Sequence, residues 1–307
     1  MRILVIIFTI FLSAVCAYPY AGSEFLLLDT SVRAASLGGA YMGSFSGADG
    51  LHYNPASLNG TKNFSISLKN IRFIDDLSFK YISIAKDIYT IPLALSAGLV
   101  SMDDIPIYDK DENYTGDIKV YDFFGSLSGA YRFKYFYTGI NIKYIYRKID
   151  QYSASGVAFD VGILKQFDIP FLSLMGGNKK NNLTIGLVGR NLGTKIKFDQ
   201  EADPLPTEIG MGLNAGIINN KLITVGLFAD TSIILNDDIS IRTGLEVGYK
   251  NTIFIRGGKS FIYNDTITAG LSLHLPLGGK VSTYFGYSLI MVEDFNNNHA
   301  VGVIIGL

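Results

Sequence analysis

A chain of 307 residues with 26 basic and 27 acidic side chains is nearly neutral. That balance argues against a nucleic-acid partner, which requires a clustered positive surface. Hydrophobic residues make up 48% and charged residues 17%, yet past residue 12 no apolar run approaches the ~20 residues of a membrane helix. Glycine supplies 33 of the 307 residues, about 11% against a usual ~7%, and Tyr (19) and Phe (20) are plentiful while Trp is absent. Inside a bilayer the backbone must satisfy its own hydrogen bonds. A greasy chain without spanning helices is therefore expected to form a closed transmembrane antiparallel β-barrel.

The N-terminus, "MRILVIIFTIFLSAVCA", has one positive charge at Arg2, an apolar run and a small-residue end. It predicts a signal peptide over residues 1–17, cleaved after Ala17, and hence export to a bacterial outer membrane. Cys16 is the sole cysteine, and Val15 before it is a poor match to a lipoprotein site. Cleavage would leave no thiol, so neither disulfides nor cysteine-held metal are expected.

Residues 18–61 show no sustained alternation. "TSVRAASLGGAYMGSF" predicts a short helix capped at Thr30 or Ser31. In "GLHYNPASL", Pro55 keeps Asn54 out of the helical region, and Asn54 can cap a turn over Ala56 and Ser57. A segment this short cannot build its own core. It is expected to lie inside the barrel as an N-terminal plug or hatch, with Asn54-Pro55-Ala56 as its joint to the first strand.

From residue 62 the period is two. In "FYTGINIKYIYR", Phe136, Thr138, Ile140, Ile142, Tyr144 and Tyr146 share one face, and Ile145 is the exception on the other. The opposite face is repeatedly glycine, as in "EIGMGLNAGI" and "ISIRTGLEVGY". Glycine weakens a strand and makes sense where something packs closely against it. The apolar face is therefore assigned to lipid and the glycine face to the lumen. About fourteen strands follow, over 62–74, 76–86, 89–102, 119–132, 134–150, 154–168, 182–191, 205–217, 220–232, 238–250, 252–263, 265–276, 279–292 and 296–307. Short turns alternate with long connections at 103–118 and 193–206, the usual periplasmic and outer asymmetry. The long connection at 168–182 breaks that pattern.

The alternation points Asp122, Lys143, Arg147, Asp160, Arg190, Asp230, Arg242, Glu246 and Arg256 into the lumen. Buried charges need partners. They can pair with one another or with Glu24, Asp29, Arg33 and Asp49 of the plug, or line a permeation path. On the third strand Pro92, Ala94, Gly98 and Val100 face inward beside Ser96, which suggests a greasy path.

The segment "FLLLDTSVRAASLGGAYMGSFSGADGLHYNPASL", with Arg33-Ala34, Gly38-Gly39-Ala40-Tyr41 and Asn54-Pro55-Ala56, resembles the N-terminal signature of the PorV/PorQ group within the FadL-like outer-membrane barrels. The resemblance continues through "GRNLGTKIKFDQEADPLPTEIGMGL" and "GLEVGYKNTIFIRGGKS". It implies fourteen strands, an N-terminal hatch, and either passive uptake of small hydrophobic compounds or, as in PorV-like members, a non-catalytic part in protein secretion. Outer-membrane lipid, the barrel-assembly machinery, and a hydrophobic solute or secreted protein are the implied partners. The chain is short for a FadL-like transporter, and its last residue, Leu307, replaces the aromatic usual in insertion signals.

Motifs for other chemistry are weak. "DKDENYTGD" starts like a calcium loop, but Tyr114 stands where glycine is needed and Val120 where glutamate is. "GGKS" at 257–260 lacks the earlier phosphate-loop glycine, Ile253 standing in its place. His52, His274 and His299 carry no triad signature. No catalytic residue, metal or cofactor is expected.

Overall fold

The computed structural model describes residues 22–73, 77–172, 181–198, 201–235, 239–262, 264–278, 281–292 and 297–307. The expected signal peptide and its cleavage site lie outside these residues. Sixteen strands follow the N-terminal segment: β1 (Phe64–Arg72), β2 (Ser78–Ile88), β3 (Ile91–Tyr108), β4 (Tyr114–Arg132), β5 (Tyr137–Ile149), β6 (Tyr152–Phe167), β7 (Leu183–Gly193), β8 (Ile196–Phe198), β9 (Glu201–Asp203), β10 (Glu208–Asn219), β11 (Ile223–Ile234), β12 (Ile239–Tyr249), β13 (Ile253–Ile262), β14 (Asn264–Pro276), β15 (Ser282–Val292) and β16 (Asn298–Gly306). Fourteen of them close an antiparallel barrel, in which β10 follows β7 and β16 returns to β1. β8 and β9 form a separate hairpin. Each of the fourteen segments read from the alternation corresponds to one barrel strand.

The pleat explains the sidedness. Leu95, Ile140, Leu227, Ile255 and Val301 lie on the outer wall and are exposed. Their strand neighbours Ala94, Asn141, Phe228, Arg256 and Ala300 face inward and are buried. The closing seam runs in register from Ser65 opposite Gly306 to Arg72 opposite His299. Leu307 donates its backbone N–H to the Phe64 carbonyl at 2.9 Å, so a leucine completes the seam where an aromatic was the norm. No helix among the described residues is long and apolar enough to cross a membrane.

The barrel has a turn end, with the short connections after β2, β4, β10 and β12, and a loop end opposite. Two loop-end connections differ from expectation. Residues 103–118 are mostly strand, because β3 and β4 run on for 18 and 19 residues and leave only a tight turn at 109–113. Both are longer than the ~9–11 residues of a membrane-crossing strand and longer than their neighbours β2 and β5, so this hairpin extends beyond the rim of the barrel. The Asp109 carboxylate holds the turn, accepting from the Asp111 and Asn113 backbone N–H groups at 2.8 and 2.9 Å. These bonds to the charged form hold its carboxyl below the usual range. The acidic run is therefore a hairpin turn, and no metal cluster occurs among the described residues. The connection at 193–206 is likewise partly ordered as the β8–β9 hairpin, whose Ile196 is buried. In the 168–182 connection Pro170–Leu172 forms one 3-10 turn, and 173–180 lie outside the described residues. Gly257–Ser260 sits within β13 as extended strand, which removes the loop a phosphate cradle needs.

Candidate functional site: the filled lumen

The N-terminal segment enters at the loop end, where the Gly22 N–H donates to the Pro204 carbonyl at 3.0 Å. It leaves at the turn end, where Phe45 packs on Tyr137 with ring centroids 4.8 Å apart. Short turns make up its body: 3-10 at Glu24–Leu27, one α-turn at Val32–Ala35, and 3-10 at Gly47–Asp49 and Pro55–Gly60. Ser31 caps the α-turn, its side chain accepting from the Ala34 N–H at 3.2 Å. Gly38 and Gly39 reverse the chain with φ of +66° and +81°, which a β-carbon would strain.

Glycines of the wall form the seat. A β-carbon at Gly302 or Gly286 would press on Val32, at Gly270 on Ser36, at Gly258 or Gly244 on Leu37, at Gly210 or Gly212 on Met42, at Gly186 on the Met42 carbonyl, at Gly162 on Asn54, and at Gly139 on Pro55. Several face each other across strands: Gly302 with Gly286, Gly244 with Gly258, Gly212 with Gly186, and Gly139 with Gly162. At Gly258, Gly186 and Gly139 the contact is backbone on backbone. That explains the glycine face: it admits the backbone of the chain's own N-terminal segment.

Asn54 is fully buried and joins four points. Its Oδ1 accepts from the Ala56 N–H at 3.0 Å. Its Nδ2 donates to the Met42 carbonyl at 3.0 Å and, more weakly, to the carbonyls of Ile163 at 3.3 Å and Leu187 at 3.4 Å on β6 and β7. Pro55 opens the turn that follows, and Ala56 is buried beneath it.

The inward charges are paired. Glu246 on β12 receives Arg33 of the segment on both oxygens, at 2.6 and 2.7 Å, and Arg256 on β13 at 2.5 Å. The Arg33 guanidinium also lies 5.6 Å from the rings of Tyr41 and Phe228. Lys143 and Asp160 pair at 2.8 Å with no solvent access, and Asn191 accepts from Lys143 at 2.7 Å. Arg190 pairs with Glu208, which Arg242 approaches at 3.3 Å, and Arg190 donates to the His52 carbonyl at 3.0 Å. Near the loop end Arg147 forks onto Asp122 at 2.7 and 3.0 Å, between the rings of Phe25 and Phe198. Asp230 accepts from the Tyr41 and Met42 N–H groups at 2.6 and 2.8 Å, which clamps the turn after Gly39. Of the segment's acids, Asp49 accepts from Ser31, Tyr41 and Ser67, and Asp29 from Tyr53.

Two members of this network were absent from the sequence reading. Glu208 holds two arginines, and Lys69 on β1 donates to the Asp29 carbonyl at 2.6 Å. Both sit in phase with inward neighbours, Gly210 and Gly212 in one case and Ser67 and Ile71 in the other, so the alternation itself carried the signal. His52 is buried, stacked on Phe124 at 5.5 Å, and its Nε2–H donates to the Leu26 carbonyl at 3.1 Å. Burial, and then the charges of Lys143 and Arg190, hold its pKa well below the usual imidazole value. Its ring packs between the segment and the wall, beside Tyr53, Tyr81 and Phe124.

Two cavities flank the segment. One of about 170 Å³, toward the loop end, is lined by Asp29, Gly38, Gly39, Arg190, Arg242 and Thr268. The other, about 330 Å³ and toward the turn end, is lined by Arg33, Tyr41, Asp49, Glu246, Arg256 and Tyr284. The Leu37–Tyr41 stretch, seated on Gly244 and Gly258, separates them.

No protein-family profile matches the chain, and no curated protein matches its sequence. Among solved structures it is similar to the CymD monoaromatic hydrocarbon channel, with TM-score 0.60 and 11% identity over 91% of this chain and 97% of that one. It is similar to the toluene transporter TodX of Pseudomonas putida, with TM-score 0.59 and 10% identity over 90% and 96%. At such identity the likeness is one of fold: a closed antiparallel barrel shared with these channels.

Proposed function

We propose that the chain is an outer-membrane barrel of the FadL-like type that passes small hydrophobic compounds passively, with residues 22–61 acting as its plug. The observation that carries this reading is the N-terminal segment seated on a glycine track between two cavities. Such a seat holds residues 32–55 by packing and hydrogen bonds alone, and a shift of Leu37–Tyr41 off Gly244 and Gly258 would join the two spaces. The fold of hydrocarbon channels supports the hydrophobic substrate class. An apolar cluster near the loop end, including Phe25, Leu26, Ile71, Phe79, Val100 and Phe124, supports it too. The test is uptake of a labelled monoaromatic compound by cells carrying the barrel against cells lacking it. Faster uptake is expected, and equal uptake overturns the proposal.

A second reading follows from how completely the segment fills the lumen: a non-catalytic scaffold or shuttle of protein secretion, as the PorV/PorQ resemblance implies. Stoichiometric co-purification of a secreted protein, with no solute uptake, would favour it over transport.

A further inference from the structure

On the outer wall of the barrel, polar and charged side chains gather where lipid-facing residues should be apolar. Asn70 and Arg72 of β1, Lys80 of β2 and His299 of β16 all point outward. Asn70 faces Lys80 across the β1–β2 pair, and Arg72 faces His299 across the seam. Direct neighbours on one face of a sheet stand about 5 Å apart and diagonal ones, here Arg72 and Lys80, about 7–8 Å. Tyr287 of β15 joins them through a 2.7 Å hydrogen bond to the His299 Nδ1. Neither Arg72 nor Lys80 has an ion-pair partner among the described residues, and the Asn70 Oδ1 is buried without a hydrogen bond. Elsewhere the lumen pairs its charges. Here, among the described residues, two cations stand without an ion-pair partner on the outer wall, near the loop-end rim.

Next to them lies an apolar groove of about 670 Å³, open to the outside. Leu68, Ile82, Leu99, Phe123, Phe285 and Val301 line it, and Asn70 and Lys80 close its end toward the cations. Its length follows the wall from β15 across β16, β1, β2 and β3 to β4.

We propose that this face binds one anionic membrane lipid. Its phosphate sits between Arg72 and Lys80, within reach of the Tyr287–His299 pair, and an acyl chain lies in the groove. Charge and shape argue together: the cations supply what an anionic headgroup needs, and the groove accepts an alkyl chain. A free phosphate would leave the groove empty, and a zwitterionic lipid would bring a second positive charge to the cations. The inference rests on the reading of the barrel as membrane-spanning, and is independent of what, if anything, crosses the lumen.

Native mass spectrometry of the detergent-purified barrel tests it. The protein is titrated with phosphatidylglycerol or phosphatidylcholine of equal chain length, with inorganic phosphate as a competitor. One phosphatidylglycerol is expected to be retained about tenfold more strongly than phosphatidylcholine, the scale of one or two charged contacts. Millimolar phosphate should not displace it. In R72Q/K80Q the preference is expected to vanish, while R72K/K80R keeps it; heat-modifiable migration confirms that each variant is folded. Equal retention of the two lipids by the unaltered barrel overturns the proposal. A preference that survives R72Q/K80Q, or displacement by phosphate alone, overturns it too.

Discussion

Two unequal arcs of the lumen wall hold the same segment in different ways. Along the ten barrel strands from β5 round to β16, glycines form the seat. Backbone meets backbone at Gly139, Gly186 and Gly258, and the charges of Asp230 and Glu246 reach across to Tyr41, Met42 and Arg33. Across β1–β4 no glycine touches the segment. There the contact is side chain on side chain: Phe79, Tyr81 and Phe124 around Phe25, Leu26 and His52, and Ala85, Ala94 and Ala130 around Ala48 and Leu58. Lys69, Ser67 and Ser83 add a few polar ties. A glycine seat has no rotamers, so it is rigid and register-specific. A cluster of rings and methyls can repack. If the segment moves, it should lift from the seat as a unit and slide against the repackable side.

Four substitutions or conditions would break or sharpen that contrast. Glu246→Ala leaves two guanidiniums facing each other in a nearly dry site and should cost about 3–5 kcal/mol. Urea unfolding in detergent would read it; a loss under 1 kcal/mol would mean the pairs do not anchor the segment. Gly258→Val drives a side chain into the Leu37–Gly38 backbone and should cost about 1–3 kcal/mol or expel the segment. Protease access to residues 22–61 separates those outcomes, and unchanged stability with full protection would refute the seat. On the other side Phe124→Leu should cost under about 1.5 kcal/mol, because neighbours can close around it. A larger loss than that of Gly258→Val would reverse the contrast.

The smallest effect concerns His52, which sits in the segment between the two kinds of wall. Its pKa is lowered in the folded state, so below the ordinary imidazole pKa of ~6.5 the unfolded chain binds more protons than the folded one. Stability is therefore full above about pH 6.5 and falls as the pH drops below it, by at most about 1.4 kcal/mol per unit. His52→Gln should flatten the dependence between pH 7 and 5. An unchanged slope would place its origin elsewhere.

Much of this architecture was legible in the residues. Period-two alternation fixes which side of each strand faces lipid, so the fourteen strands and the inward set Asp122, Lys143, Arg147, Arg190, Arg242, Glu246 and Arg256 follow from counting. What alternation does not encode is pairing. Nothing local says that Glu246 serves both Arg33 and Arg256, since those residues are brought together by the closing of the barrel. Glu208 and Lys69 were missed for a different reason: both are in phase with inward residues, but Glu208 opens its strand, where the alternation has only begun, and Lys69 lies beside the polar Asn70. Length was misjudged where polarity rises: β3 and β4 continue into "DDIPIY" and "YTGDIKV", where the apolar face that marks a strand in the sequence fades. The reversal at Gly38-Gly39 and the Asn54 node have local causes, a positive φ and a side-chain cap, and these are readable at short range.

The central claim is that the seated segment closes a path through the barrel. Val32 and Gly286 offer a lock, because a β-carbon on Gly286 would stand 3.5 Å from that of Val32, within disulfide reach. In a Cys16→Ser background, Val32→Cys with Gly286→Cys can be oxidised to tether the segment and reduced to free it. Uptake of a labelled monoaromatic compound by cells carrying this variant is the measurement. The account expects uptake above that of barrel-free cells when the pair is reduced, and a fall to the barrel-free level when it is oxidised. Uptake that is the same in both states, or never above the barrel-free level, would contradict it.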